Sequence, residues 1–256
     1  MRRLKIPLSI DPETLLKALV PPPPSGLVRE ARGLFELPRL LLGIPSLTRQ
    51  PRGRGEPVLV LPGYGAGDIS TVLLRGYLRL LGYRVKGLGG ETNPREVPEL
   101  LARVLKRLVS LARKSEQEVR IIGWSLGGYL AREAARERPE LVQQVITLGT
   151  PVIGGPKYTV VAHWMRRQGV DMDAIEAQIA LRNRVSLTTP VTAIYSRYDR
   201  VVAWGACIDR DCANIEHVEV GTTHLGLGFS AEVYRIIAAR LAAKPGEEPR
   251  SVPRSR

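Results

Sequence analysis

The sequence has little of what would place a chain in a membrane or around a metal. No run reaches the ~18 apolar residues of a membrane-spanning helix. There are only two cysteines, three histidines and 5% aromatic residues among 256 residues. Two thiols cannot fill a four-ligand zinc site, and no phosphate-binding GxxxxGK(S/T) motif or His/Asp/Glu cluster appears. We therefore expect neither an integral membrane protein nor a bound metal or cofactor.

The beginning of the chain lacks the apolar core of a secretory signal. Its longest apolar stretch, Thr14–Pro21, contains Lys17 and leads into further prolines without a small-residue cleavage site. We therefore expect a cytoplasmic protein. In an oxidising compartment Cys207 and Cys212 are close enough in sequence for a local disulfide, and two unpaired thiols are the equally favoured alternative.

Positive charge is concentrated outside the middle of the chain. The net charge is +13, and residues 1–55 hold ten Lys/Arg against four Asp/Glu. No recognition-helix, zinc-finger or aromatic-basic pattern accompanies this charge, so we expect no nucleic-acid partner. A solvated arginine-rich surface is the favoured interpretation. Attraction of the N-terminal arm, residues 1–55, to an anionic membrane is the alternative.

The N-terminal arm contains an extended and a helical segment. Pro21–Pro24 favours an extended polyproline conformation. Apolar residues then recur at near-helical spacing over Gly26–Leu42, where Pro38 should kink or break the helix. We favour packing of this stripe on the chain's own domain over docking on a membrane or a partner.

From residue 56 the pattern alternates between short apolar runs and helical segments. Six runs fit strands: Pro57–Leu61, Tyr83–Lys86, Val119–Trp124, Gln144–Leu148, Val191–Tyr195 and Ile215–Val220. This alternation predicts an α/β fold, a mostly parallel sheet with helices on both faces. We predict one α/β domain over residues 56–243, with a helical insertion over 153–189. We also predict a disordered tail over 244–256.

The most specific motif is Gly123–Gly127 (GWSLG), which follows an apolar run and precedes a helical segment. A serine on such a sharp strand-to-helix turn takes a strained backbone conformation and projects its hydroxyl above the sheet. The flanking glycines avoid collisions across the turn. The helix N-terminus presents free N–H groups to a developing oxyanion. An ordinary tight turn with a capping serine is the less favoured alternative.

With this motif the chain resembles the α/β-hydrolase superfamily, particularly small bacterial lipases and esterases. The resemblance covers about Glu56–Ala243 and implies a serine, an acid and a histidine in that order along the chain. The acid and the histidine should each follow a strand, as Asp199 and His224 do. Ser125 would then be the nucleophile, His224 its general base and Asp199 the residue that orients the imidazole.

Other candidates for the base and the acid fit this pattern less well. His163 falls in the insertion, and His217 falls inside a predicted strand, where a structural or solvent-facing role is more common. Asp209 and Asp211 come too late after the fifth predicted strand to occupy the acid position.

The loop Pro62–Gly67 (PGYGAG) carries the last motif of the resemblance. It implies an oxyanion hole formed by the N–H groups of Tyr64 and Leu126, with Pro62 standing where many relatives have a histidine. Alternatively, the glycines serve only tight packing. Asp68, just after this loop, is interpreted as a cap of the next helix rather than as a catalytic residue.

These motifs predict a metal-free serine hydrolase that cleaves small-molecule or lipid carboxylic esters through an acyl-enzyme. The resemblance implies that the insertion caps an acyl pocket lined by Trp124, Val152, Ile153, Trp164 and Met165. A place for these side chains in the core of a helical subdomain is an equally favoured alternative. An acyltransferase or thioesterase on the same triad, and a non-catalytic binding protein with this fold, also stay open.

Overall fold

The computed structural model describes residues 10–90 and 96–243, and a six-stranded sheet forms its centre. The strands are β1 (Pro57–Leu61), β2 (Arg84–Gly87), β3 (Val119–Trp124), β4 (Val142–Leu148), β5 (Val191–Tyr195) and β6 (Ile215–Glu219). They lie in the order β2-β1-β3-β4-β5-β6, and every pairing is parallel. The predicted fold class is therefore confirmed, with a sheet that is parallel throughout.

Helices cover both faces of this sheet, because β1, β3 and β5 are buried at every position and so have apolar residues on both sides. The α-helices are α1 (Pro12–Lys17), α2 (Leu27–Glu30), α3 (Glu36–Leu47), α4 (Val72–Leu80), α5 (Val97–Ser115), α6 (Leu126–Glu137), α7 (Ala162–Arg167), α8 (Met172–Asn183) and α9 (Ala231–Ala242). Val58 and Val60 pack in one core with residues of α3, α4 and α9. Leu59 and Leu61 pack in a second core with α5 and α6.

The strand order changes direction at β1, which pairs with β2 on one side and with β3 on the other. In open parallel sheets, ligands bind in the crevice beyond the carboxyl ends of the strands at such a switch point. The PGYGAG loop follows β1, and the GWSLG motif ends β3. Both predicted motifs therefore lie at this crevice.

From Pro24 to Leu47 the arm is α- or 3₁₀-helical, and it packs on the domain through a few side chains. Leu40 and Leu47 of α3 are buried in the core shared with α4 and α9. The backbone stays helical around Pro38: a 3₁₀ segment over Ala31–Phe35 connects α2 to α3, and Pro38 lies in the first turn of α3. A proline N–H is not needed in a first turn, so Pro38 does not break this helix.

The insertion, residues 153–189, carries α7 and α8 and is tied to the domain on two sides. Thr159 pairs with Val202 in an isolated antiparallel bridge. Arg182 of α8 donates to Glu133 of α6 at 2.6 Å. The insertion therefore connects the loop after β5 with the helix after β3.

Two findings bear on the ends of the chain and on membranes. The predicted tail over 244–256 lies outside the described residues. Among the helices of the described residues, none has the length and apolar character to cross a membrane.

Candidate active site

Ser125 occupies a strained turn between β3 and α6. Its backbone has φ 54° and ψ −118°, in the left-handed half of the map that non-glycine residues rarely adopt. A Cβ on Gly127 would lie 2.4 Å from the Leu61 carbonyl oxygen, and one on Gly123 would lie 2.2 Å from the Gly127 carbonyl oxygen. Only glycine fits at these two positions, so the motif's glycines permit the turn.

The backbone of Ser125 is held from the neighbouring strand. Its N–H donates to the Leu148 carbonyl at 2.8 Å, and its carbonyl accepts the Thr150 hydroxyl at 3.0 Å. Sequence reasoning missed Thr150, whose only signal is a polar residue just past an apolar strand. Leu126 is the first residue of α6, and the N–H of a first helical residue has no acceptor within its own helix.

Asp199 and His224 form a direct, buried contact. His224 Nδ1 lies 2.6 Å from Asp199 Oδ2, and the two residues are 7% and 5% exposed. Asp199 Oδ1 accepts the N–H groups of Val201 and Val202 at 2.8 and 2.7 Å. Because both carboxylate oxygens are occupied, the carboxylate is fixed and holds the imidazole with Nε2 directed away from it.

The environment of His224 favours its charged form. Burial alone would lower its pKa, but the Asp199 carboxylate, through charge and hydrogen bond, and the charge of Glu30 outweigh burial and raise the pKa. The Trp124 indole lies beside the imidazole, with ring centroids 6.0 Å apart. The predicted pocket residue Trp124 therefore contacts the predicted base.

Ser125 and His224 both lie against the end of β4. A Cβ on Gly149 would lie 2.9 Å from His224 Nδ1, and the preceding residue, Leu148, accepts the Ser125 N–H. Within the part of the chain that the structure describes, no hydrogen bond joins the Ser125 hydroxyl to the imidazole. Such bonds are often long without substrate and tighten when it binds.

The PGYGAG loop packs directly on the nucleophile turn. A Cβ on Gly63 would lie 3.5 Å from Ser125 Cβ, and Gly65 has a positive φ of 65°. The loop therefore brings the backbone next to Tyr64 close to Ser125. The interpretation of Asp68 as a helix cap is wrong: its carboxylate accepts the N–H groups after β2, those of Leu88 and Gly89, at 3.1 Å each.

The other predicted pocket residues lie in different environments. Val152 is buried, and Ile153 donates its N–H to the Ala206 carbonyl at 3.0 Å, so both follow the end of β4 closely. Trp164 on α7 is 52% exposed, and Met165 beside it is partly buried. A shared acyl pocket for these five residues therefore stays a prediction.

The remaining titratable candidates are occupied elsewhere. His217 accepts the Asp209 N–H at Nε2 over 3.0 Å, and His163 is exposed on α7. Cys207 is buried and Cys212 partly buried, both as free thiols, and burial raises the pKa of each. No group of three or more His, Cys, Asp or Glu side chains in residues 10–90 and 96–243 could hold a metal.

No protein-family model and no curated protein matches this sequence. Solved structures do match. Lipase B of Aspergillus fumigatus is 16% identical with a TM-score of 0.57, over 75% of this chain and 54% of that one. The match therefore spans about half of that lipase.

Two further matches span most of both chains. Alpha/beta hydrolase domain-containing protein 10 from mouse is 19% identical with a TM-score of 0.53, over 75% of this chain and 90% of that one. The thioesterase domain from the curacin biosynthetic pathway is 14% identical with a TM-score of 0.51, over 76% and 93%. Identities this low show the fold alone, and the chain has the α/β-hydrolase fold.

Proposed function

We propose that this chain, with its α/β-hydrolase fold, is a serine hydrolase that cleaves carboxylic esters. The observation that carries the proposal is the buried 2.6 Å contact between Asp199 and His224, next to a strained turn that presents Ser125. A structural serine needs no positive φ, and a structural histidine needs no ionised partner. A strained serine turn beside the switch point of the sheet, together with an Asp–His pair, is typical of a nucleophile with its base.

In the proposed mechanism His224 Nε2 takes the proton of the Ser125 hydroxyl as its oxygen attacks the ester carbonyl. The carbonyl π electrons move onto its oxygen, and the N–H groups of Leu126 and Tyr64 stabilise that oxyanion. When the oxyanion collapses, the C–O bond to the alcohol breaks and His224 returns the proton to the leaving alkoxide. Water, deprotonated by His224, then hydrolyses the acyl-enzyme and restores Ser125. Asp199 holds the imidazole tautomer and stabilises its charged form.

The test is hydrolysis of p-nitrophenyl esters from acetate to palmitate by the wild type and by Ser125→Ala. We expect kcat/KM to fall by ~10³-fold or more in Ser125→Ala, as is usual for loss of a triad nucleophile. Ser115→Ala, at the far end of α5 with its hydroxyl on the Leu111 carbonyl, is the matched control and should keep full activity. Full activity in Ser125→Ala would remove Ser125 from the mechanism.

A thioesterase or acyltransferase is the second candidate, and it uses the same three side chains. It is favoured by the similarity to a thioesterase domain, which shares the fold. Partitioning of the acyl-enzyme between water and added alcohol or thiol separates the candidates.

In either candidate we propose that the insertion, residues 153–189, acts as a cap over the acyl pocket. Exposed Trp164 would then contact the acyl chain.

We further propose a cytoplasmic enzyme that associates with anionic membrane through its arm. Val28, Phe35 and Leu42 recur every seven residues and are 81%, 69% and 83% exposed. The exposed arginines Arg32 and Arg39 lie between them in sequence. An exposed apolar face with interspersed cations is typical of helices that lie on anionic lipid.

Co-sedimentation with phosphatidylglycerol vesicles tests this association. The double variant Phe35→Gln and Leu42→Gln should lose most of its vesicle binding while the buried arm residues stay in place. Leu181→Gln, at another exposed leucine, on α8, is the control and should bind like the wild type. Equal partitioning of all three proteins would refute the proposal.

A further inference from the structure

Glu30 is a buried carboxylate at the end of α2 without a cationic side chain to pair with. The residue is only 6% exposed. Across the described ranges 10–90 and 96–243, no Lys, Arg or His nitrogen forms an ion pair with it. A buried charge is costly unless hydrogen bonds replace its water, so the groups that donate hydrogen bonds to this carboxylate indicate what it stabilises.

Each oxygen of that carboxylate binds the residue that follows a proposed catalytic group. Glu30 Oε1 accepts the Arg200 N–H at 2.7 Å, and Arg200 directly follows Asp199. Glu30 Oε2 accepts the Leu225 N–H at 2.8 Å, and Leu225 directly follows His224. One side chain of the arm therefore bridges the loop of the acid and the loop of the base.

The backbone of the arm packs closely against the two loops that Glu30 bridges. A Cβ on Gly33 would lie 2.5 Å from the Gly226 nitrogen and 2.6 Å from the Thr223 hydroxyl oxygen. A Cβ on Gly26 would lie 3.4 Å from the Arg200 Cβ. Gly33 thus allows the arm's backbone to touch the histidine loop, since any larger residue would push the two apart.

We propose that Glu30 is a positioning residue for the reaction: its carboxylate fixes the Asp199 and His224 loops relative to each other. Its negative charge also stabilises the protonated imidazole. This inference rests on the proposed function, because the two loops need such alignment only where Asp199 must hold the His224 imidazole in position to take a proton from Ser125. Charge-assisted hydrogen bonds to backbone N–H groups are strong enough for this role.

The charged groups around His224 are few, which makes the effect of Glu30 measurable. Asp199 contacts the imidazole, and Glu30 acts from the arm. The Glu36 methylene Cγ lies near the Gly226 backbone, and buried Cys207 lies near Asp199. Of these carboxylates, Asp199 bonds the imidazole and Glu36 pairs with Arg39, so Glu30 is the one whose charge can be removed without breaking either contact.

Glu30→Gln is the test, because it keeps the shape, removes the charge and leaves one backbone N–H facing an amide donor. We expect kcat to fall about 10–100-fold with KM unchanged, the loss typical of a buried charge-assisted hydrogen bond. The acidic limb of the kcat/KM profile should move to lower pH. An NMR titration of the three histidines should show a lowered pKa for His224 only. Glu13→Gln, an exposed glutamate of α1, is the control and should change none of these.

The NMR titration separates failure of this inference from failure of the proposed function. If neither the wild type nor Glu30→Gln hydrolyses esters, a lowered His224 pKa in the variant still supports the bridge. An unchanged kcat and an unchanged His224 pKa in Glu30→Gln would overturn the proposed role of Glu30.

A second variant serves if Glu30→Gln does not fold. Gly33→Ala displaces the arm without changing any charge and should lower kcat and the His224 pKa. Gly76→Ala, on open surface of α4, is its control, and an unchanged Gly33→Ala would also overturn the bridge.

Discussion

Two regions of this protein each combine a buried aspartate with a histidine, but the hydrogen bond between the two residues is of a different kind in each. At the crevice, Asp199 bonds the imidazole of His224 directly, and the pKa of that histidine is raised. Nearby in sequence, His217 accepts a hydrogen bond from the Asp209 backbone N–H, and its pKa is lowered to about 4, chiefly by burial. The Asp209 carboxylate is instead paired with the buried Arg132.

The difference lies in what neutralises the carboxylate. In the described residues Asp199 accepts hydrogen bonds from backbone N–H groups and the imidazole and pairs with no Lys or Arg, so its charge is available to stabilise a proton on His224. The Asp209 carboxylate is paired with Arg132. His217 stays neutral and accepts the hydrogen bond of the Asp209 backbone N–H. Proximity of Asp and His in sequence is therefore not enough to form a charged Asp–His pair, because a competing cation can bind the carboxylate instead.

The largest effect is expected from Asp199→Asn. The amide oxygen can still accept the N–H groups of Val201 and Val202, but the charge that stabilises protonated His224 is gone. We expect kcat for p-nitrophenyl esters to fall by ~10³–10⁴-fold, the loss seen when a triad aspartate becomes asparagine. The melting temperature should stay close to that of the wild type. If Asp199→Asn keeps its activity, the Asp199–His224 pair has no catalytic role that the Asp209–His217 region lacks.

Asp209→Asn should give the reverse pattern. Neutralising this carboxylate leaves the buried Arg132 unpaired, which typically costs about 3–5 kcal/mol of the free energy of unfolding. Urea unfolding measures this loss, and kcat per folded molecule should be unchanged. A stable Asp209→Asn protein with impaired kcat would show that this region serves catalysis after all.

The smallest effect concerns the pH dependence of stability. His217 titrates near pH 6.5 when unfolded and near pH 4 when folded, so the unfolded state binds the proton first as the pH falls. The stability contributed by the neutral imidazole is present above pH 6.5 and is lost between pH 6.5 and 4, by about 3 kcal/mol. His217→Gln should lose less stability than the wild type between pH 7 and 4.

Exposed His163 provides the control for that measurement. His163→Gln should follow the wild-type dependence of the free energy of unfolding on pH. His224 has the opposite sign: its raised pKa makes its contribution full below pH 6.5 and lost as the pH rises through the folded value. Equal acid destabilisation of His217→Gln and the wild type would assign that loss to other groups.

The fold was readable from local patterns because a parallel sheet needs strands that are apolar on both faces. β1, β3 and β5 have the predicted bounds. β4 begins two residues earlier than predicted, at Val142, since Gln143 and Gln144 interrupt the apolar pattern at only half-buried positions. The strained turn at Ser125 was equally accessible, because glycine spacing and position after a strand are local properties.

Long-range contacts were not accessible in this way. Asp68 was expected to cap its own helix, but it bonds Leu88 and Gly89 after the next strand. Glu30 gave no signal at all, because a glutamate within an exposed helical stripe is ordinary until the loops it binds are in place. The placement of Trp164 and Met165 relative to a pocket likewise depends on how the insertion packs, which short patterns do not encode.

The Glu30 bridge also has a consequence for the order of events during synthesis. Its two partners follow it by 170 and 195 residues, so the arm leaves the ribosome long before either loop exists. Folding steps that depend on such distant contacts come late and are slow. A nascent chain that has finished Ser125 and its turn therefore holds the proposed nucleophile before the proposed base, His224, has been synthesised. We expect hydrolytic activity to arise in one late folding step, when α2 packs against the loops of Asp199 and His224.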